Sequence, residues 1–217
     1  MSEQLLGVVI GGLFGFVGAL FGTVISVWAE NRKRYRDSIE KVRLRIVGDR
    51  VQTSEVMEFV YLQRKGRWPY FGRKGVADLS HANLIEIDLR KQDLRDTIFY
   101  SANLQEANLA YANLQGVDLS NANLKNADFY KANLQNAHLY RADLSGARLE
   151  KTDLRGARFF GVDFSNAILY EARMIDVDLR HANLGKVELD KAILGNVKYD
   201  DQTIWPKDFD PKSIEDG

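Results

Sequence analysis

The chain has 217 residues, with 30 basic and 30 acidic side chains and therefore a formal net charge of zero. It contains no cysteine, which excludes a disulfide scaffold and agrees with a reducing compartment. The charges are unevenly placed, because residues 30–76 are rich in arginine and lysine, the following residues are nearly balanced, and the tail after Tyr199 is acidic. This distribution excludes one strongly charged surface over the whole chain and predicts several distinct segments.

The first segment is an apolar run without a charged residue, from Leu5 to Ala29. It is long enough to cross the hydrocarbon core as a helix. The chain opens with MSEQ rather than with basic residues, and no small-residue cleavage motif follows the run. Residues 1–29 therefore predict a retained transmembrane anchor, not a signal peptide.

The orientation of this anchor follows from the charges after it. Four basic residues come within seven positions of its end: Arg32, Lys33, Arg34 and Arg36. The positive-inside rule places the rest of the chain in the cytoplasm and the amino terminus outside. The same stretch is suited to anionic lipid headgroups.

Small residues line one face of the predicted anchor. Five glycines fall three or four residues apart: Gly7, Gly11, Gly15, Gly18 and Gly22. Because small residues let two helix backbones approach closely, this face predicts packing against another membrane helix. The partner is either a second copy or a subunit of a membrane protein complex.

Residues 30–75 predict a helical stalk and an amino-terminal cap. Four apolar residues at helical spacing indicate the stalk: Tyr35, Ile39, Val42 and Ile46. A second helix is predicted to start at Thr53 or Ser54 as N-cap and to carry Val56, Phe59 and Val60. Because a bare first coil would expose apolar interior and unpaired backbone, this helix and the aromatic residues 68–72 are interpreted as a cap.

A five-residue repeat fills the chain from residue 77 onward. Alanine, asparagine or aspartate, leucine and two variable residues recur, and every position ending in 4 or 9 from Leu79 to Ile204 is large and apolar. On a helix these leucines would step about 140° around the axis, and on a flat strand they would alternate between faces. The chain is therefore predicted to turn at every repeat, with the large residue and the alanine inward and the last two residues outward. The polar residue is placed to bond the turning backbone.

These residues resemble the pentapeptide-repeat family, whose signature is A(D/N)LXX, over residues 76–204. The resemblance implies an all-β solenoid, a right-handed quadrilateral β-helix of twenty residues per coil, in a bacterial protein. One inward ladder would then be Leu84, Leu104, Leu124, Leu144, Phe164 and Leu184. Residues 205–217 are predicted to form a carboxy-terminal cap and an acidic tail, with Trp205 and Phe209 as lids.

The sequence gives no sign of an enzyme. The three histidines, His81, His138 and His181, are too sparse for a metal site or a nucleophile–histidine constellation, and no phosphate-binding glycine motif occurs. Stacked carboxylates such as Asp143 and Asp163 are explained by the repeat itself. No catalytic residue, cofactor, metal or small-molecule substrate is therefore predicted.

Variation is concentrated on the outside of the predicted solenoid, and two sides carry aromatic residues. One side has Tyr100, Tyr140 and Phe160, with Tyr140 and Phe160 in adjacent coils; another has Tyr130 and Tyr170, with Tyr111 and Ile168 nearby. Exposed aromatic residues are common at recognition surfaces. In pentapeptide solenoids they also stack on one another along the coils without binding a partner. Lysines 131, 151 and 191 share a side with Glu171 and are interpreted as a solvated ladder, not a nucleic-acid track.

Three functional hypotheses remain. The first is a non-enzymatic, membrane-anchored scaffold or accessory subunit that presents the solenoid to a membrane complex. The second is an oligomeric assembly or channel-associated element built through the glycine face. The third comes from the resemblance alone: some members of the family mimic DNA and occupy type II topoisomerases, but that requires a strongly acidic surface that this chain lacks.

Overall fold

The computed structural model describes residues 52–65, 76–189 and 191–214. Its regular elements are helix α1, Thr53–Lys65, strand β1, Arg173–Ile175, strand β2, Ile193–Gly195, and a short 3₁₀ helix, Pro211–Ile214. None of the helices in these residues is long and apolar enough to cross a bilayer. The predicted anchor, the stalk helix and the aromatic residues 68–72 lie outside the described residues.

The chain from residue 76 winds as a solenoid with twenty residues per coil. Parallel β-bridges join residues twenty apart on all four sides, as in Asp78↔Ile98 and Asn83↔Asn103. Strands β1 and β2 are the longest such pairing, with Met174 opposite Leu194. Backbone N–H groups donate to carbonyls of the next coil, for example Leu124 N to Asp143 O at 2.8 Å. The coil length expected from the family resemblance is confirmed.

Large apolar residues and alanines fill the interior. The predicted ladder Leu84, Leu104, Leu124, Leu144, Phe164 and Leu184 is buried at every rung. The alanines two positions earlier in their repeats, such as Ala102 and Ala122, are buried as well. Phe159 and Phe164 meet edge-to-face at 5.1 Å between ring centroids. The inward register is therefore confirmed through most of the solenoid.

The register changes in the last coil, where one prediction is wrong. Ile204 pairs with Asn183, twenty-one residues earlier, and is 55% exposed. An extra residue is accommodated in the turn after Tyr199, so Thr203 takes the alanine position and donates its hydroxyl to Leu179 O at 3.0 Å. Trp205 follows, next to Tyr199 at 5.6 Å and stacked on Phe209 at 5.1 Å.

Most repeats turn through a backbone conformation that the sequence analysis did not predict. A turn closes with a hydrogen bond such as Ala127 N to Leu124 O at 3.0 Å, and its third residue has a positive φ, 55° at Asn126. The same conformation recurs at the last residue of most repeats, and none of the positive-φ residues in the described chain is valine, isoleucine or threonine. Because β-branched side chains are strained there, composition at this position follows the turn.

Asn166→Val tests this turn, because Asn166 is exposed and has a φ of 59°. We expect a loss of about 1–2 kcal/mol in the free energy of unfolding, from steric strain in the left-handed region. Ser165→Val, one residue earlier in the same turn, is the matched control and is expected to change stability by less than about 0.5 kcal/mol. Equal losses in denaturant titrations would contradict the assigned turn.

Helix α1 contacts the first coil. Its Val56 and Val60 are buried, and Thr53 Oγ1 donates to Asp88 O at 2.6 Å. The equivalent carbonyl in the next coil, Asn108 O, accepts from Leu89 N, so the Thr53 hydroxyl is the donor that a backbone N–H supplies in later coils. The predicted N-cap is wrong: Gln52 precedes the helix, its carbonyl accepts from Glu55 and Val56, and its N–H donates to Glu55 Oε2. The Phe59 side chain lies outside the described set.

Candidate interaction surfaces

The outer surface is ordered by the asparagine or aspartate of each repeat. Its Oδ1 accepts a hydrogen bond from the N–H two residues later, as in Ser120 N to Asp118 Oδ1 at 3.0 Å. Stacked amides also bond between coils, as in Asn123 Nδ2 to Asn103 Oδ1 at 3.0 Å. The predicted bond to the turning backbone is therefore observed, and it fixes where the next two side chains leave the coil.

Aspartate followed two residues later by arginine gives a recurring ion pair. The guanidinium lies 2.6–2.8 Å from the carboxylate in four repeats: Asp88–Arg90, Asp93–Arg95, Asp153–Arg155 and Asp178–Arg180. The Arg180 hydrogen bond holds the pKa of Asp178 below its ordinary value, against the opposing effect of burial. The sequence analysis missed these pairs, although the tripeptide Asp-Leu-Arg marks each of them.

The stacked carboxylates Asp143 and Asp163 have structural partners. Asp143 accepts from the N–H and hydroxyl of Ser145 and lies 3.2 Å from Lys125 Nζ, while Asp163 accepts from Ser165 N and Asn183 Nδ2. Burial alone would raise the pKa of Asp143, but these bonds and Lys125 outweigh it, and the pKa is lowered. Asp143 uses both carboxylate oxygens and Asp163 uses its Oδ1, so the two carboxylates hold turns and neighbouring coils together.

The first side of the solenoid comprises residues 78–82 and their equivalents at steps of twenty. Here Tyr140 and Phe160 stack with their ring centroids 5.4 Å apart and their planes 11° from parallel. Tyr140 is 40% exposed and Phe160 is half-buried. Tyr100, 41% exposed, belongs to the same side but contacts His81 at 5.8 Å, because Ser120 separates it from Tyr140.

Further groups extend the Tyr140–Phe160 stack. The His181 ring lies 4.6 Å from that of Phe160, and His181 Nε2 is 3.1 Å from Asp200 Oδ2. The Arg141 guanidinium covers the Tyr140 ring at 5.0 Å. Arg141 and His181 were not predicted as neighbours of the stack. They lie one position later in their repeats than Tyr140 and Phe160, which are aligned by their spacing of twenty residues.

The third side comprises residues 88–92 and their equivalents, and carries Tyr130 and Tyr170. Tyr130 meets Tyr111 edge-to-face at 5.5 Å, and Lys131 Nζ lies over both rings. Lys191 Nζ donates a hydrogen bond to the Tyr170 hydroxyl oxygen at 3.0 Å. The side chain of Glu150 occupies the coil between Tyr130 and Tyr170, so the structure does not bring these two tyrosines into one cluster.

The glycine face of the predicted anchor and a metal site are not among the features of the described surface. Gly7, Gly11, Gly15, Gly18 and Gly22 lie outside the described residues. Within the residues that the structure describes, no three histidine, cysteine, aspartate or glutamate side chains group as metal ligands. The described outer surface therefore offers aromatic stacks, paired charges and amide ladders.

Comparison with protein families gives one match. The model described as "Pentapeptide repeats" matches eight copies within residues 77–196, more than half of the chain; the matched ranges are 77–109, 102–139, 122–159, 137–174 and 157–196. A comparison with curated proteins gives no match.

Several solved structures are similar to parts of the chain. A pentapeptide-repeat protein from the thylakoid lumen of Arabidopsis thaliana is 27% identical, covering 43% of this chain and 68% of its own, with a TM-score of 0.36. A pentapeptide-repeat protein from Nostoc PCC 7120 is 24% identical, covering 75% of this chain and 92% of its own, with a TM-score of 0.33. QnrB1, a plasmid-mediated fluoroquinolone resistance protein, is 22% identical, covering 58% of this chain and 78% of its own, with a TM-score of 0.34. Every one of these scores lies below 0.5, so the alignments do not establish matching overall shapes.

Proposed function

The chain belongs to the pentapeptide-repeat family, and from that premise we propose that it is a non-enzymatic scaffold or accessory subunit of a membrane complex. Members of this family are generally structural or interaction proteins without catalytic activity. The observation that carries the proposal is the outer surface: Tyr140 and Phe160 are stacked on a coil whose backbone is hydrogen-bonded on both sides. Aromatic residues held rigidly lose little entropy on binding, which favours a protein partner.

Tyr140 and Phe160, which we call the aromatic wall, are tested by the double variant Tyr140→Ala, Phe160→Ala. Neither ring belongs to the buried ladder, so the fold is expected to remain while partner binding weakens by about 2–4 kcal/mol. Binding is measured by copurification of the full chain in mild detergent, with the melting temperature as the check on folding. Tyr111→Ala, which removes a 49% exposed tyrosine on the third side, is the control. If the double variant copurified with the partner as well as the unaltered chain does, Tyr140 and Phe160 would not belong to the binding site.

The membrane location is part of this proposal and is supported by the sequence. The uncharged run from Leu5 to Ala29 is followed at once by basic residues, as in an anchor with its carboxy-terminal side in the cytoplasm. An anchored scaffold would hold the solenoid next to the cytoplasmic faces of membrane proteins. The basic stretch would add contact with anionic headgroups.

Membrane extraction tests the anchor. We expect the protein to remain in the membrane pellet after alkaline carbonate and to enter solution only with detergent, because a spanning helix is not released by charge neutralisation. Protease added outside intact cells is expected to leave the repeats uncut. Release by carbonate would refute the anchor, and digestion from outside would refute the orientation.

A second candidate function is an oligomeric or channel-associated assembly built by the glycine face. The five aligned small residues favour it, since they allow two copies of the anchor to pack closely. Self-association without another protein in the purified complex would support this candidate over the scaffold.

DNA mimicry is the less favoured alternative. A mimic needs columns of unpaired carboxylates, whereas Asp88, Asp93, Asp153 and Asp178 are each paired with an arginine two residues later. The lowered pKa values of Asp88 and Asp178 keep both partners charged, so the pairs neutralise one another locally. The described surface is thus closer to a mixed-charge recognition surface than to a polyanion.

A further inference from the structure

Two arginines on the first side, Arg141 and Arg158, lack the acidic partner that four arginines elsewhere in the repeats have. Arg90, Arg95, Arg155 and Arg180 each pair with the aspartate two positions earlier. For Arg158 that position is Gly156 and for Arg141 it is Leu139, so the Asp-Leu-Arg pair cannot form. Both side chains belong to exposed residues, and no ion pair joins either to a carboxylate of the described chain.

These two charges flank the aromatic stack. Arg141 lies over the Tyr140 ring at 5.0 Å, and its Cγ is 3.4 Å from the place where a Cβ on Gly161 would stand. The Arg141 stem therefore runs along the next coil, at van der Waals distance from that place. Arg158 precedes Phe160 by two residues, so both leave the same outer side of one coil. We call Tyr140, Arg141, Arg158 and Phe160 the basic-aromatic patch.

The carboxylate that pairs with Arg158 in the β-ladder is already engaged. Asp178 follows Arg158 in the β-ladder, but its Oδ2 accepts from Arg180 at 2.7 Å, and Lys198 lies close enough to lower its pKa further. Its charge is thus compensated without Arg158. The patch keeps two uncompensated positive charges beside two stacked rings.

We propose that the basic-aromatic patch binds an acidic segment of the partner protein, an inference that rests on the proposed scaffold function. Guanidinium groups recognise carboxylates through paired hydrogen bonds, and the Tyr140–Phe160 stack supplies an apolar surface for a neighbouring side chain of that segment. Stacking of Arg141 on Tyr140 orients its guanidinium before binding, which lowers the entropic cost. The positive charge steers an acidic partner to this side.

The surroundings favour a short acidic segment over a nucleic acid. Aspartates stand before and after the patch on the same side, at Asp118, Asp200 and Asp201. A nucleic acid requires a continuous track of cations, and these carboxylates would repel its backbone. An acidic segment that spans only the coils of residues 138–162 avoids them.

A binding titration tests the proposal with the intact chain in mild detergent. The probe is a fluorescein-labelled peptide of alternating glutamate and leucine, followed by anisotropy, with an alternating glutamine and leucine peptide as reference. We expect saturable binding of the acidic peptide alone, weaker at higher ionic strength. Arg141→Glu with Arg158→Glu is expected to weaken it about tenfold or more.

A charge-matched variant provides the control. Arg173→Glu with Lys186→Glu changes the net charge equally, and these exposed residues lie on other sides of the solenoid. We expect its affinity to stay within about twofold of the unaltered chain, with unchanged melting temperatures for both variants. Equal loss in the two variants, no binding by the unaltered chain, or tighter binding of single-stranded DNA of the same charge would each overturn the proposal.

The natural partner separates this proposal from the one on which it rests. A protein that copurifies equally with the unaltered chain and with the Arg141→Glu, Arg158→Glu variant would refute the patch and leave the scaffold function intact. Absence of any copurifying protein would instead refute the scaffold function. Loss of the partner from the patch variant but not from the Arg173→Glu, Lys186→Glu control is the expected result.

Discussion

Leu124→Asp is expected to unfold the centre of the solenoid. Leu124 is fully buried, and its ladder neighbours Leu104 and Leu144 are buried as well, so an aspartate there would have no cation or hydrogen-bond donor beside it. An uncompensated buried charge costs about 3–5 kcal/mol. The loss would be measured by denaturant titration of the full chain, followed by circular dichroism.

The neighbouring position supplies the control. Lys125 is the next residue in the same repeat, and its Nζ lies 3.2 Å from Asp143 Oδ2 at the surface. Lys125→Gln removes this half-exposed ion pair and is expected to cost less than about 1 kcal/mol. If Leu124→Asp and Lys125→Gln unfolded at the same denaturant concentration, the inward direction of the ladder would be wrong.

Gly11→Leu combined with Gly15→Leu is expected to abolish copurification of a partner held through the anchor. Leucine side chains on the glycine face would force two packed helices apart, whereas membrane insertion would improve with the added apolar surface. The measurement is copurification in mild detergent, with carbonate extraction to confirm insertion. We expect this variant to do more damage than the loss of Tyr140 and Phe160.

A matched variant places leucine elsewhere on the same predicted helix. Val9→Leu with Val17→Leu adds apolar surface away from the glycine face and is expected to keep the partner. The Gly11→Leu, Gly15→Leu variant could keep the partner while the Tyr140→Ala, Phe160→Ala variant loses it. That result would show that the aromatic wall contributes more to partner binding than the anchor does.

The central fold could be predicted because a five-residue period is incompatible with both ordinary elements. The burial of Leu104, Leu124 and Phe164 follows from that period, and the twenty-residue coil follows from the family resemblance. The failure at Ile204 has a local cause. Ile204 keeps the five-residue spacing from Tyr199, but the turn between them holds one more residue. Thr203 therefore points inward in place of Ile204, and its hydroxyl donates to Leu179 O.

The candidate site was predictable only along one column of residues. Aligning positions twenty apart places Tyr140 beside Phe160, and the structure has them stacked. Arg141 and His181 join the stack from the neighbouring column, and their approach depends on side-chain direction after a turn residue with positive φ, which spacing does not encode. The Asp–Arg pairs could have been predicted, because the first and third residues of Asp-Leu-Arg leave the same outer side of a coil.

Purification of the intact chain from its own membranes in mild detergent tests the scaffold function most directly. We expect one other membrane protein in fixed stoichiometry, retained through size-exclusion chromatography and reduced when Tyr140 and Phe160 are replaced by alanine. Recovery of the chain alone, or of its own oligomers only, would contradict the scaffold function.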